Sequence, residues 1–409
     1  MKILYIVPYA PNQIRVRPYN LIRSLAERGN RVTILTLTAN EHDRQSVREL
    51  RADGLTVHSH ELPSWRSMVN ALRGALTAYP LQSFYCWNAD LARHALELVT
   101  DPASKFDAVH VEHLRGVRFA ERLKWMQPRH KLPVVWDSVD SITYLFQQAA
   151  KQSRKLSSRI ITSFELPRTR RYEGRMAALF DATLVTSPVD RQAFLEMLPP
   201  GADPDRIQIL PNGVDLDYFH PDPSTQREPA TLVVSGKMSY HANVSMTLHL
   251  AQNILPLVWA EKPETRLQIV GKDPPRQIQA LAEDPRITIT GFVPDIRPYL
   301  NKATLAVAPL TYGAGIQNKV LEAMACGTPV ITTPLAARNL SAVQGSELLV
   351  EQEPADFARA VITMLDQPDR RQEVGAAGRC YVEKCHSWRA VAGQLETVYQ
   401  TARASVRES

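Results

Sequence analysis

Apolar runs of strand length alternate with helical patterns from one end of this chain to the other, and the alternation falls into two sets. The runs predicted as strands in the first set are Ile3–Val7, Val32–Leu37, Leu55–His58, Ala108–Glu112, Val134–Asp137, Ala182–Thr186 and Ile207–Leu210. Those in the second are Thr231–Ser235, Leu267–Val270, Ile287–Thr290, Leu305–Ala308, Val330–Thr332 and Leu348–Val350. Helical patterns between them include 16–28, 89–99, 244–259 and 355–366, and two more, 369–384 and 387–403, close the chain. Such alternation builds parallel sheets covered by helices on both faces. The expected fold class is therefore α/β, with two doubly wound, Rossmann-like domains. A length of 409 residues suits two cores better than one. The Pro-rich stretch 215–229 reads as the linker, so the domains are expected over 1–212 and 213–386, with a last helix and tail over 387–409.

Composition excludes several classes. Hydrophobic residues at 44% and charged residues at 22% describe a soluble globular protein rather than a disordered or membrane-spanning one. Cys86, Cys326, Cys380 and Cys385 are scattered without metal-ligand spacing, which favours a reduced compartment over a disulfide framework. The opening MKILYIVPYAP holds one lysine and an apolar run cut by prolines, and reads as a first strand rather than a leader. No apolar run reaches the length of a membrane span. Charge is uneven: residues 1–210 carry 29 Lys and Arg against 21 Asp and Glu, and the remainder 19 against 21. The excess gathers in 151–175, with eight basic residues and two glutamates. Leu156, Ile160, Ile161 and Phe164 lie at helical spacing within it, so the segment suits an anionic membrane surface, with a solvated helix face as the competing reading. No basic groove interleaved with aromatics accompanies it, so nucleic acid is not an expected partner.

The densest chemistry lies in 304–333. An apolar strand is followed by the loop Thr311–Gln317, the short helix Asn318–Ala325 stopped by Gly327 and Pro329, and a second strand. A strand–loop–helix corner aims backbone N–H groups and the positive end of the helix dipole at one spot, which suits a phosphate. Lys319 falls in the first helical turn, where the macrodipole disfavours a cation unless an anion binds beside it. Glu322 follows at i+3 on the same face. A cation and a carboxylate at such a turn match a nucleoside diphosphate and its ribose; a solvated Lys–Glu pair is the plain alternative.

The segment LEAMACGTPVI, with its glutamate at Glu322, resembles the donor-binding signature of GT-B retaining glycosyltransferases of the family 4-like type. In that family a first glutamate precedes the second with seven residues between them, which places it at Ala314 here. This is a departure, since that glutamate contacts the donor sugar. A subgroup of bacterial polysaccharide enzymes reads Gly-Ala-Gly-Ile-x-x-Lys at the same place, as Gly313–Lys319 does. Further landmarks arrive in family order: LPNGVDLDYFHPD, SGKMSYHANV, RLQIVGKDP, ITGFVPDIRPYL and CHSWRAVAGQLETVY. The resemblance implies two Rossmann-like domains facing a cleft, with the C-terminal helix crossing back to the first.

The same resemblance implies a retaining hexosyltransferase acting on a nucleotide-diphospho-sugar and a saccharide or lipid-linked acceptor. Bacterial surface polysaccharide or glycolipid synthesis is the implied setting, in the cytoplasm or peripherally on the inner face of the cytoplasmic membrane. Lys237 and Lys319 would stabilise the leaving diphosphate, and His113 would lie at the donor sugar. Gly236, Phe292, Val293, Ala314, Gly315, Ile316 and Glu322 would line the donor. No cofactor and no metal are expected, because cations and helix N-termini can hold a diphosphate unaided. Arg15 and Arg17, after the first strand, are candidates for donor or acceptor phosphates. Asp137 and Asp140 end the strand Val134–Asp137 and could touch an acceptor or cap a helix, the cap being preferred. Asp215-Leu216-Asp217 matches a DxD metal motif but sits in the linker and reads as structural. Two rivals stay open: a sugar-nucleotide epimerase on the same fold, and a non-catalytic homologue serving a polysaccharide assembly complex. A dehydrogenase is not expected, since no GxGxxG follows the first strand of either half.

Overall fold

The computed structural model describes residues 1–126, 132–152, 156–312 and 317–408. The chain divides into two compact units, Met1–Pro211 with Val391–Ser409, and Asn212–Ala390. The first contains seven strands: β1 (Lys2–Val7), β2 (Arg31–Thr38), β3 (Thr56–Glu61), β4 (Ala108–Glu112), β5 (Val134–Val139), β6 (Ala182–Val185) and β7 (Ile207–Ile209). They form one parallel sheet in the order β3-β2-β1-β4-β5-β6-β7. The second unit has β8 (Thr231–Ser235), β9 (Arg266–Val270), β10 (Ile287–Gly291), β11 (Leu305–Ala308), β12 (Val330–Thr332) and β13 (Leu349–Val350). Their order is β10-β9-β8-β11-β12-β13, again parallel throughout.

Each sheet therefore starts at an interior strand, winds outward one way, returns and winds out the other. The reversal falls between β1 and β4 in one unit and between β8 and β11 in the other. Ligands of open α/β sheets bind beyond the carboxyl ends of the strands at such a reversal. The central strands are buried on both faces, which is why they read as unbroken apolar runs rather than alternating ones. Leu4, Ile6, Leu35, Val111 and Trp136 centre the first core, and Leu232, Val234, Leu267, Ile269 and Ile331 the second.

The helix expected over 244–259 is broken into His241–His249, a π-helical turn Leu250–Ile254 and Leu255–Glu261. Pro256 has no N–H to give the preceding turn, and the ladder loosens just before it. The 215–229 segment packs onto the second unit. Arg227 donates to the carbonyls of Ala303 (2.6 Å) and Gly327 (2.8 Å) and to Thr328 Oγ1 (3.0 Å). The terminal helix, Trp388–Glu408, belongs from Val391 onward to the first unit. Its Glu396 holds Arg28 at 2.7 Å, and buried Tyr399 pairs its hydroxyl with His110 Nδ1 at 2.9 Å. Among the described residues no helix is long and apolar enough to cross a membrane.

Candidate functional site

In the second unit the reversal point gathers the loops after β8, β9 and β11. Gly236, directly after β8, has φ +142°, and a Cβ there would stand 2.7 Å from Asn243 Nδ2. Gly271, directly after β9, has φ +156°, and its Cβ would come within 1.8 Å of the Gly236 carbonyl oxygen. Both positions exclude side chains, so the two backbones touch. Gly236 N–H then donates to Val270 O at 3.0 Å and Met238 N–H to Lys272 O at 2.9 Å.

Asn243, in the first turn of the His241–His249 helix, is 6% exposed and joins the parts. Its Oδ1 accepts Lys319 Nζ at 2.5 Å, and its Nδ2 donates to Lys237 O at 2.9 Å. Lys319 thus comes from β11's side of the reversal and lands against the loop that follows β8. Burial pushes its ammonium down to about 8, with Glu322 opposing that shift. Burial pushes the Glu322 carboxyl up to about 7, with Lys319 opposing. Among the described residues the ammonium has no carboxylate at hydrogen-bond range; its partner there is the neutral amide of Asn243. A desolvated cation held by an amide at a helix start is a ready anion contact. The Lys237 side chain is exposed on the loop, and its carbonyl also accepts Tyr240 N–H at 3.1 Å.

After β10, Phe292 is 73% exposed while Val293 packs against the core. Asp295 accepts the Arg297 amide at 2.9 Å at the start of the Arg297–Lys302 helix, and the Tyr218 hydroxyl at 3.1 Å. Asp215 Oδ1 accepts the amides of Asp217 (3.1 Å) and Tyr218 (3.0 Å), a local turn consistent with the structural reading. Ala314, Gly315 and Ile316 lie outside the described residues.

In the first unit the reversal lies between β1 and β4. His113, one residue past β4, has φ +63°. Left-handed backbone at a non-glycine residue is uncommon and concentrates at functional sites. Its Nδ1 accepts the Arg115 amide at 3.3 Å, which places the ring proton on Nε2. Burial, aided by Arg115, pushes the ring down to about 4, so the imidazole is neutral near pH 7. Beneath it Glu112 is buried and accepts the hydroxyls of Tyr5 (3.0 Å) and Tyr9 (3.2 Å). Burial, with Asp137 adding to it, pushes Glu112 up to about 8.

The two arginines part company. Arg15 remains about one-third exposed, with Nη1 on Ala10 O (2.9 Å) and Asp43 Oδ1 (3.1 Å) and its guanidinium over the Tyr9 ring. Arg17 corrects the phosphate reading: it is 7% exposed and turned inward. Its Nε and Nη2 reach Asp137 Oδ2 at 2.9 and 2.8 Å, and it also donates to the carbonyls of Leu210 (3.0 Å) and Pro211 (3.2 Å). The anion that this helix-start arginine holds is Asp137, not a ligand.

The cap reading of Asp137 and Asp140 is also corrected. The Ile142–Gln152 helix takes its first-turn acceptors elsewhere: Glu173 accepts the amides of Ile142 (2.9 Å) and Thr143 (3.0 Å), and Ser141 Oγ that of Tyr144 (3.2 Å). Asp190 accepts the Ser141 amide at 3.0 Å. Asp140 is left with the Thr186 hydroxyl at 3.3 Å, beyond a bulge at Val139, whose φ is +69°. Burial, with Asp190 adding to it, pushes Asp140 up to about 6. His113 and Asp140 thus follow adjacent parallel strands whose last paired residues are Glu112 and Asp137. Of these groups, sequence reasoning missed Asn243, Glu112 and Tyr9.

In the described part of the basic segment 151–175, three arginines bond to neighbouring elements. Arg168 donates to Ala75 O (3.3 Å), Arg170 to Glu196 O (3.1 Å) and Arg175 to Glu121 (2.8 Å), each on a different neighbour. The residues 153–155 and the side chains of 151–161 lie outside the described residues.

The family profile described as "Glycosyl transferase 4-like domain" matches residues 14–213, and that described as "Glycosyl transferases group 1" matches 229–367. A D-inositol 3-phosphate glycosyltransferase 2 of Catenulispora acidiphila is 27% identical over 235 residues, 51% of this chain and 53% of that protein. A GDP-mannose-dependent alpha-(1-6)-phosphatidylinositol dimannoside mannosyltransferase of Mycobacterium tuberculosis is 28% identical over 240 residues, 55% of this chain and 59% of its own length. The chain spans about half the length of the relatives it matches. Among solved structures, Anabaena HepE in complex with UDP and glucose superposes with a TM-score of 0.65 at 15% identity, over 98% of this chain and 100% of that one. At that identity the likeness is one of fold.

Proposed function

Because the chain belongs to the family 4-like glycosyltransferases of GT-B fold, we propose that it transfers a hexose from a nucleotide-diphospho-sugar, with retention, to a saccharide or lipid-linked acceptor. The observation that carries this reading is the Gly236–Asn243–Lys319 cluster at the reversal point of the second sheet. A diphosphate there would meet a desolvated ammonium, the loop bearing Lys237 and the start of the Asn318–Ala325 helix. As the glycosidic bond breaks, negative charge grows on the diphosphate, and these fixed groups stabilise it without reorganising. Glu322, three residues along, would take the ribose hydroxyls. His113 would offer its Nε2–H to a sugar hydroxyl. In this scheme the acceptor's proton passes to the departing phosphate, so no protein base is needed. Bacterial surface polysaccharide or glycolipid synthesis is the setting, and phosphorylated inositols are acceptors to try first, from the names of two similar proteins.

Incubating the purified chain with UDP- and GDP-hexoses and such acceptors tests the reading. The expected result is acceptor-dependent release of nucleoside diphosphate, an anomeric configuration unchanged by proton NMR, and turnover that survives excess chelator. Conversion of the donor sugar without acceptor would make it an epimerase. Loss of turnover to chelator, restored by magnesium or manganese, would overturn the metal-free scheme.

Asp140 is assigned to the acceptor side of this reaction. A hydrogen bond to a charged group is worth about 1.5–3 kcal/mol, so Asp140→Asn should raise the acceptor KM by about ten- to a hundredfold and leave nucleotide affinity unchanged. The carboxylate is the accepting form and is lost as pH falls through about 6. Wild-type kcat/KM for acceptor should therefore drop below that pH, and the variant should lack the inflection. An unchanged profile in the variant would remove Asp140 from the acceptor site.

A further inference from the structure

The Ser64–Ala75 helix is turned inside out. The residues it sends inward are small or polar: Ser67 and Gly74 are buried, and Asn70 Nδ2 donates to Trp87 O at 2.8 Å. A Cβ at Gly74 would stand 3.1 Å from the Phe84 ring, so the helix lies flat and close against its neighbour. Its apolar residues point the other way. Trp65 is 61% exposed, Met68 65%, Val69 37%, Leu72 71% and Leu76, just past the helix, 90%. They recur at i, i+3, i+4, i+7 and i+11, which makes one continuous stripe. A stripe of this size on a protein surface marks something that covers it.

Charge identifies the cover. From Leu62 to Ala89 the chain has no Asp or Glu and two arginines, Arg66 and Arg73, both exposed. Arg168 from the Leu156–Leu179 helix bonds Ala75 O at the end of the stripe and stacks over the Phe164 ring, 3.7 Å from its centroid. Phe164 is itself 44% exposed. Large apolar side chains beside arginines, with no carboxylate in that stretch and the neighbouring Glu165 buried on the Leu81 amide, fit the boundary between acyl chains and anionic headgroups. We propose that the Ser64–Ala75 helix lies in the surface of an anionic bilayer, with Trp65, Met68, Leu72 and Leu76 among the acyl chains and Arg66, Arg73 and Arg168 at the headgroups. This rests on the membrane-side setting of the proposed function, and adds the Ser64–Ala75 helix to Arg168 of the basic segment 151–175 as the contact.

The test uses the full chain and phosphatidylcholine vesicles with or without phosphatidylglycerol, followed by sedimentation and by quenching with brominated lipid. Binding is expected only with phosphatidylglycerol, and Trp65→Phe should remove most of the quenching. Met68→Ser/Leu72→Ser/Leu76→Ser keeps the charge and should weaken partitioning more than tenfold at any salt concentration. Arg66→Gln/Arg73→Gln should weaken it at low salt and flatten its salt dependence. All six residues changed are exposed, so thermal stability and UDP or GDP binding should match wild type in every variant. Wild type ignoring anionic vesicles, or binding them equally well in the serine variant, would overturn the proposal. So would a dimer that the serine variant dissolves without any vesicle binding, since the stripe would then face a second copy. Vesicle binding without nucleotide binding by wild type would sink the transfer reading and leave this surface standing.

Discussion

Lys319→Ala should weaken binding of UDP or GDP by about ten- to a hundredfold, because a charge-assisted contact to phosphate contributes about 1.5–3 kcal/mol. The fold should tolerate the change. Among the described residues Lys319 is held by Asn243 Oδ1, and that amide keeps its other bond to Lys237 O. The pH dependence separates a ligand contact from a packing role. In the free chain the ammonium gives up its proton as pH rises through about 8. A bound diphosphate favours the charged form and raises that value. Affinity of the wild type should therefore fall above pH 8, and binding there should be accompanied by proton uptake. Titration calorimetry in two buffers of different ionisation enthalpy reads both quantities. Equal affinity and equal proton uptake in wild type and variant would remove Lys319 from the diphosphate.

Much of this site could be read from the sequence because its parts are local. The Asn318–Ala325 helix follows from Gly327 and Pro329, and Lys319 and Glu322 share a face by spacing alone. The strands were legible because burial on both faces makes them continuous apolar runs. Long-range polar pairs left no such trace. Asn243 lies 76 residues from Lys319, and nothing in the pattern around a neutral amide marks it as the group that fixes a distant cation. Arg17 stands at the start of a helix after β1, a place that invites an anion, and its anion lies 120 residues away on β5. The Ser64–Ala75 helix was illegible for a different reason. Its apolar period is that of a core-facing helix, and only packing shows that Ser67, Asn70 and Gly74 take the inner side.

The inward turn of Arg17 gives the largest expected loss of stability. Arg17 and Asp137 are 7% and 0% exposed, and the guanidinium also serves the carbonyls of Leu210 and Pro211, where the first unit ends. Removing one partner of a buried pair strands the other charge and costs about 3–5 kcal/mol. For a unit of this size about 1 kcal/mol lowers the melting temperature by about 2–4 °C. Asp137→Leu and Arg17→Met should each melt the first unit about 6–20 °C below wild type. The double variant should recover part of that loss, since no unpaired charge remains. It should not recover all of it, because the Leu210 and Pro211 carbonyls still lack their donor. Asp53→Ala provides the contrast: it breaks the exposed Arg23–Asp53 pair, and such pairs contribute about 0–1 kcal/mol. Scanning calorimetry resolves the transition of each variant. If Asp137→Leu melts no lower than Asp53→Ala, the buried pair does not hold the first unit together, and Arg17 returns as a candidate for a ligand phosphate.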